Sequence, residues 1–173
     1  MRFIISQILG AIGYSALAYS YFRKEKREIL IVQIIAYIGF TTHYYLLGAQ
    51  TGTMCNVLGF VALILIYFLS NDKKKKTVLV CILIPLLGVM SYLSFENWFS
   101  LFPIFACLVT FISFLFESKN IIRFVGIVSA VCWLIYAIVF HSYTAIVFEV
   151  ITVIATTVAF LKNRKESEGH ITG

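Results

Sequence analysis

Apolar stretches of about 20 residues follow one another along almost the whole chain, and they constrain its fold more than any other feature. Cutting the sequence at its polar clusters leaves seven of them, at residues 3–22, 29–48, 51–70, 77–95, 98–116, 121–140 and 142–161. A helix of about that length crosses the hydrocarbon of a bilayer, and the runs lack the every-second-residue alternation of a barrel strand. We therefore predict an all-α integral membrane protein with seven transmembrane helices.

The composition narrows the classes of function. Hydrophobic residues make up 61% of the chain and charged residues 13%, whereas a soluble domain has roughly 45–50% and 25%. The predicted spans leave connections of only a few residues, too short for a soluble catalytic or nucleic-acid-binding domain. The sequence also lacks the paired-carboxylate, HExxH, Ser/His and Cys/His spacings of enzymes. We expect no enzymatic activity, no cofactor or metal site and no nucleic-acid partner.

The basic residues indicate an orientation in the membrane. Of the 14 Lys and Arg residues, 13 follow the first, third, fifth and seventh stretches or precede the next one, and Arg2 alone falls on the other side. Three connections, "GAQTGT", "SFEN" and "FHSY", carry no basic residue. Because cytoplasmic loops are enriched in Lys and Arg, we predict an N-terminus outside and a C-terminus in the cytoplasm.

The chain has the layout of an internal duplication. Sliding residues 29–75 onto 119–165, an offset of 90, superimposes the apolar lengths, the short polar outer turns and the basic exits. Identity is slight, so the general likeness of two hydrophobic hairpins is the alternative explanation. The duplication predicts a 3+1+3 arrangement of two parallel three-helix repeats, a recurring transporter architecture with the substrate site between the halves. Its parts are a first repeat at 1–72, a linker helix at 73–96, a second repeat at 97–162 and a cytoplasmic tail at 163–173.

Glu149 is the only acidic residue inside a predicted span. A charged side chain at membrane depth costs about 2.5–3.5 kcal/mol on insertion scales, so it should face a partner or a cavity. On a helical wheel it shares a face with small or polar residues, namely Ala145, Thr152 and Thr156. The offset of 90 places Gly59 opposite Glu149, with Asn56 one turn outward on the same face.

Other polar and aromatic residues are predicted at a similar depth. Apolar walls with a few placed polar groups describe most ligand pockets, and aromatic faces suit a flat or cationic solute. The predicted substrate-binding set is Glu149, Asn56, Trp133, His43, Tyr136 and Tyr45. Purely structural roles are the alternative: packing or the interfacial belt for the aromatics, an interhelical hydrogen bond for Asn56 and a backbone carbonyl partner for His43.

Several segments carry a resemblance to a known family. "QILGAIGY" opens the first span, "HYYLLG" closes the second, "CWLIYAI" lies in the sixth and "FE" lies in the seventh. Over essentially the full chain they resemble the YgjV family of bacterial inner-membrane proteins, placed with the wider MtN3-like group of SWEET, PQ-loop and PnuC transporters. The resemblance implies a 3+1+3 arrangement and facilitated movement of a small polar metabolite across the inner membrane. The chain has no Pro-Gln pair and only two Trp residues, so no substrate is carried over from those branches.

Two functions follow from these observations. The first is a transporter or facilitator of a small polar metabolite, vitamin-, nucleoside- or sugar-like, in which Glu149 binds the solute or carries a proton, with His43 as an outer relay. The second is a membrane receptor or assembly partner that does not transport, in which Glu149 pairs with a basic residue in a helix of another protein. The second predicts Glu149 on the outside of the bundle. The expected partners are the lipid bilayer and a small-molecule solute, and the sequence leaves a homo-oligomer open.

Overall fold

The computed structural model describes residues 1–20, 22–23, 25–69, 73–116 and 118–169. Within these ranges the chain forms seven α-helices and no strand, which confirms the all-helical prediction. A short 3-10 helix, Trp98–Ser100, leads directly into the fifth α-helix. The α-helices are α1 (Arg2–Ser20), α2 (Lys26–Leu47), α3 (Gln50–Leu69), α4 (Lys73–Ser94), α5 (Leu101–Ser113), α6 (Lys119–Val139) and α7 (Tyr143–Gly169).

The helices differ in their capacity to span a membrane. Among the described residues, five are long and apolar enough by length and composition, namely α1, α2, α3, α4 and α6. Trp98–Ser113 is a shorter apolar helix, and in α7 the described apolar segment is Tyr143–Val158. The 13 residues of α5 rise about 20 Å, less than the roughly 30 Å of hydrocarbon in a typical bilayer. Helix α5 is therefore shorter than the fifth span predicted at 98–116.

Helix α7 is longer than the predicted seventh span at 142–161. It continues to Gly169 and so includes the first residues of the predicted tail at 163–173. This last part of the helix has the sequence "LKNRKESEG". Lys, Arg and Glu are favourable helix residues, so they extend a helix whose apolar part has already ended.

Helix ends follow local backbone rules. Gly48 ends α2 in the left-handed conformation, with φ 79°. The Gly48 amide donates to the Tyr45 carbonyl, and the Ala49 amide donates to the Tyr44 carbonyl. Glycine is favoured at this position because it has no Cβ to clash. After α6, His141 adopts φ 52°, and the amide of Ser142 donates to the Ala137 carbonyl over 2.8 Å.

The helices pack in a closed order. Helix α1 packs against α2 and α7, α2 against α3, α3 against α5, α5 against α6, and α6 against α7. Helix α4 packs against α3 and α5. We call the six helices other than α4 the ring helices. We call the end of the bundle where α2, α4 and α6 begin the basic end, and the opposite end the basic-poor end.

Small residues bring the helices close together. An ideal Cβ built on Gly39 of α2 would lie 2.8 Å from the Cα of Gly13 in α1, so the two backbones cross without an intervening side chain. Large apolar side chains such as Ile82, Val89 and Ile154 point outward and are mostly exposed. Such a surface is the one a helix bundle presents to lipid.

A cavity enclosed by six helices

A cavity of about 230 Å³ lies among the ring helices. Each ring helix contributes side chains to its wall, and none of the described residues of α4 does. The cavity therefore lies where the first three helices meet the last three. Seven of the fifteen residues that line it are aromatic, namely Tyr14, Tyr37, Phe40, Tyr44, Phe111, Phe114 and Trp133.

Glu149 lines this cavity and is partly buried. The hydroxyl of Tyr14 donates to its Oε1 atom over 3.4 Å. The Tyr14 ring is held between Phe40 and Phe148, with centroid distances of 4.5 and 4.7 Å. Aromatic packing thus fixes the position of the only hydroxyl that bonds the carboxylate in the described part of the chain.

The wall contains further polar groups. Asn56 donates from Nδ2 to the Gly52 carbonyl over 2.8 Å, so its Oδ1 atom remains available as an acceptor. Thr110 and Ser129 place hydroxyls 3.5 Å apart on facing helices. The Tyr44 hydroxyl is buried and makes no hydrogen bond of standard geometry to the described residues, although the Tyr14 and Ser142 hydroxyls lie near it. A buried donor without a partner is rare, because it loses its bonds to water without replacement.

A second cavity, of about 350 Å³, adjoins the first on the side of α5, α6 and α7. The two share wall residues, among them Glu149, Trp133 and Ser129. The second cavity extends to Ile122 and Val125, near the basic end of α6. Glu149 thus borders both spaces.

The structure brings three of the six predicted site residues into one cavity. Glu149, Asn56 and Trp133 line it, together with Gly59, the residue that the predicted duplication aligns with Glu149. His43, Tyr136 and Tyr45 are not part of its wall. Tyr45 is 64% exposed on the outside of the bundle, and its neighbour Tyr44 faces the cavity instead.

His43 forms a fully buried joint between helices. Its Nδ1 atom lies 2.6 Å from the Ser6 carbonyl and its Nε2 atom lies 2.5 Å from Ser142 Oγ. A carbonyl can only accept, so Nδ1 carries the proton and Nε2 accepts from the serine hydroxyl. His43 therefore links α1 and α2 to the α6–α7 turn. The side chain of Gln7 adds bonds to Thr144 and to the His141 carbonyl in the same region.

Tyr136 forms a corresponding joint on the opposite side of the bundle. Its hydroxyl accepts from the Gly52 amide over 3.0 Å and donates to Glu96 Oε2 over 3.4 Å. Thr51 adds a 2.5 Å bond to the Ser94 carbonyl and lies 2.9 Å from Ser100 Oγ. This cluster links α3 to α6 and to the α4–α5 connection.

These two joints lie at the basic-poor end, beyond the cavity. They connect residues before α4 with residues after it. The cavity itself extends toward the basic end, where Leu17 and Phe114 line it. The halves of the chain are therefore hydrogen-bonded on one side of the cavity in the described residues.

Sequence reasoning did not identify most of the cavity wall. Tyr14, Tyr37, Thr110 and Ser129 lie in apolar runs where nothing in their spacing separates them from packing residues. Glu96 follows the apolar run of α4 in the connection "SFEN", where nothing in the sequence indicates a bond to Tyr136. A usable signal was present in "QILGAIGY", where two glycines precede Tyr14 and permit the close α1–α2 contact.

The fold and the cavity define a multi-pass helical membrane protein that encloses a small, aromatic-walled space around one carboxylate. The family model Imp-YgjV, described as "Bacterial inner membrane protein", matches residues 4–167. The chain belongs to this family, as its resemblance predicted, and is a protein of the bacterial inner membrane. No curated protein and no solved structure matches it. Kinship with the wider MtN3-like group stays a prediction.

Proposed function

We propose that this protein is a transporter or facilitator of a small polar solute, and that the cavity around Glu149 is its substrate site. The observation that supports this proposal most directly is that all six ring helices line one cavity that contains a carboxylate. Its volume of about 230 Å³ is below the roughly 300–1,000 Å³ of sites for drug-sized ligands and suits a small metabolite. Ionisable groups inside membrane helices commonly mark solute or ion pathways.

The position of Glu149 favours transport over the assembly-partner function. An assembly partner would present the carboxylate on the outside of the bundle, within reach of another helix. Glu149 instead faces an internal space and bonds to Tyr14 of its own chain. This arrangement supports a role in binding a solute or a coupling proton.

The packing order supports the proposed 3+1+3 arrangement. In each half, the first helix packs on the second and the second on the third. The two main helix packings between the halves, α3 on α5 and α7 on α1, exchange if the halves are swapped about a two-fold axis. Gly59 and Glu149 hold corresponding positions and both line the cavity. These features are those of two parallel repeats around a central site.

The joints suggest how the halves move. We place the basic end in the cytoplasm, because positively charged loops stay there. The His43 and Tyr136 joints then close the cavity toward the outside in this structure. Opening outward requires that both joints separate while the basic end closes, a rocking of one repeat against the other.

The test is ligand binding to the purified protein. Thermal stabilisation is measured against a library of polar metabolites for the wild type, Glu149→Gln and the control Glu25→Gln, which makes the same change at an exposed carboxylate outside the cavity. We expect at least one metabolite to stabilise the wild type and Glu25→Gln but not Glu149→Gln. The same metabolite should enter proteoliposomes that contain the wild type.

Two results would contradict the proposal. One is that no compound of the library stabilises the wild type or Glu149→Gln, although both proteins are equally well folded. The other is a ligand that stabilises both to the same extent. Either would favour the assembly-partner function.

A further inference from the structure

We infer that the cavity selects a small organic cation, which competes with a proton for Glu149. This inference rests on the proposed function and names the class of its solute. It is carried by the charge, hydrogen-bonding and aromatic character of the wall.

The charge of the wall has one sign. Glu149 contributes a carboxylate, and none of the described residues that line the cavity is Lys, Arg or His. An anionic solute would meet a like charge without compensation, whereas a cation would neutralise the carboxylate in a space of low polarity. A single carboxylate matches a single positive charge on the solute.

The free hydrogen-bonding groups point the same way. The second oxygen of Glu149 and the Oδ1 atom of Asn56 are acceptors without a partner of their own in the described contacts. They match the N–H or O–H groups of a solute. The Tyr44 hydroxyl, which makes no hydrogen bond of standard geometry to the described residues, is the complementary donor, and it suits one oxygen or other acceptor of the same solute.

The aromatic wall suits a cation as well. Tyr44 and Trp133 lie side by side, with ring centroids 5.5 Å apart, and both face the cavity with Asn56. Aromatic faces carry negative electrostatic potential and attract ammonium and similar groups within about 6 Å. The combination of ring faces and one carboxylate is a common means of binding organic cations.

Protons compete for the same group. The titratable side chains that line the cavity with Glu149 are Tyr14, Tyr37 and Tyr44 of α1 and α2, and Cys55 and Cys107 of α3 and α5. All are neutral when protonated, and none supplies a positive charge. A proton on Glu149 removes the only charge that favours a cation, so cation binding should weaken as the pH falls.

The experiment compares matched pairs of probes on the full chain in nanodiscs. Choline is compared with its neutral carbon analogue 3,3-dimethyl-1-butanol, and 2-phenylethylammonium with 2-phenylethanol. We expect at least one cation to bind about tenfold more tightly than its neutral partner, a preference that Glu25→Gln retains and Glu149→Gln abolishes. Its affinity should weaken as the pH falls, while that of the neutral partner stays constant.

The outcomes separate this inference from the proposed function. Equal binding of cation and neutral analogue, or a cation preference that survives in Glu149→Gln, would overturn the inference. So would a neutral metabolite that needs Glu149 for binding and uptake while both cations fail, and that result would leave the proposed function standing. Failure of every cation and every neutral metabolite would overturn both.

Discussion

At the residue scale, two tyrosines of the core have opposite hydrogen-bonding status. Tyr136 uses its hydroxyl twice, toward the Gly52 amide and the Glu96 carboxylate. Tyr44 is equally buried, and its hydroxyl makes no hydrogen bond of standard geometry to the described residues. The first hydroxyl thus stabilises the fold, and the second is available to a solute.

The same substitution at these two positions should therefore have different effects. Tyr136→Phe leaves the Gly52 amide without its partner and should lower the free energy of unfolding by about 1–3 kcal/mol. Tyr44→Phe removes an unpaired buried hydroxyl and should leave the stability unchanged or raise it. Thermal unfolding in one detergent compares the two variants. Equal losses at both positions would mean that Tyr44 has a structural partner.

A site residue could be predicted from the sequence where its side chain is unusual for a membrane helix, and could not be predicted where its side chain is common there. Glu149 was identifiable because a lone carboxylate inside an apolar run has few explanations. Tyr44 and Tyr45 are adjacent and chemically identical, and only the rotation of α2 decides which one faces the cavity. That rotation depends on the contact of Gly39 with α1, which a sequence pattern does not resolve.

At the element scale, the helix bounds were predictable because polar clusters interrupt the apolar runs. The exceptions have local causes. Helix α5 is preceded by a separate 3-10 turn, since Asn97 accepts the Phe99 amide and starts a new helix there. Helix α7 continues into its charged end because those residues favour helix as well as water.

The α1–α2 contact gives a test at this scale. Gly39→Ala would place a methyl group 2.8 Å from the Gly13 Cα, and backbone atoms cannot move aside easily. We expect a loss of about 1–3 kcal/mol in the free energy of unfolding. Gly88→Ala in α4 is the matched control, since nothing lies within 4 Å of its Cβ position. The control should be neutral or stabilise by up to about 1 kcal/mol.

A decrease in thermal stability for both glycine variants would indicate that the loss of backbone flexibility, and not the helix contact, is responsible. An unchanged thermal stability of Gly39→Ala would mean that α1 and α2 pack less closely than the contact between Gly39 and Gly13 implies.

At the scale of the whole molecule, charge distribution predicts the topology. With 13 of 14 basic residues assigned to one side, the C-terminus should lie in the cytoplasm. Green fluorescent protein fused after Gly173 should fluoresce, and alkaline phosphatase fused at the same point should be inactive. The reverse pattern would invert the assigned orientation and the direction in which the cavity opens.

The overall arrangement was only partly accessible from sequence. Helix number and class follow from apolar periodicity, which is local. The cavity depends on which faces of six helices meet, and this is decided by long-range contacts such as Tyr14 with Glu149, 135 residues apart. The slight identity between the two predicted repeats cannot supply those contacts.

The central claim is that the space around Glu149 is a solute site that one side of the membrane can reach. Ser129 lines both cavities, so Ser129→Cys in a chain whose native Cys residues are Ala places a thiol there with little change in size. Ile82→Cys, at an exposed apolar position of α4, is the lipid-facing control. Both variants are treated with a membrane-impermeant maleimide in inside-out and right-side-out vesicles. We expect Ser129→Cys to react from the cytoplasmic side alone and Ile82→Cys to react from neither side. No reaction of Ser129→Cys from either side would mean that the space is not a solute site open to the cytoplasm.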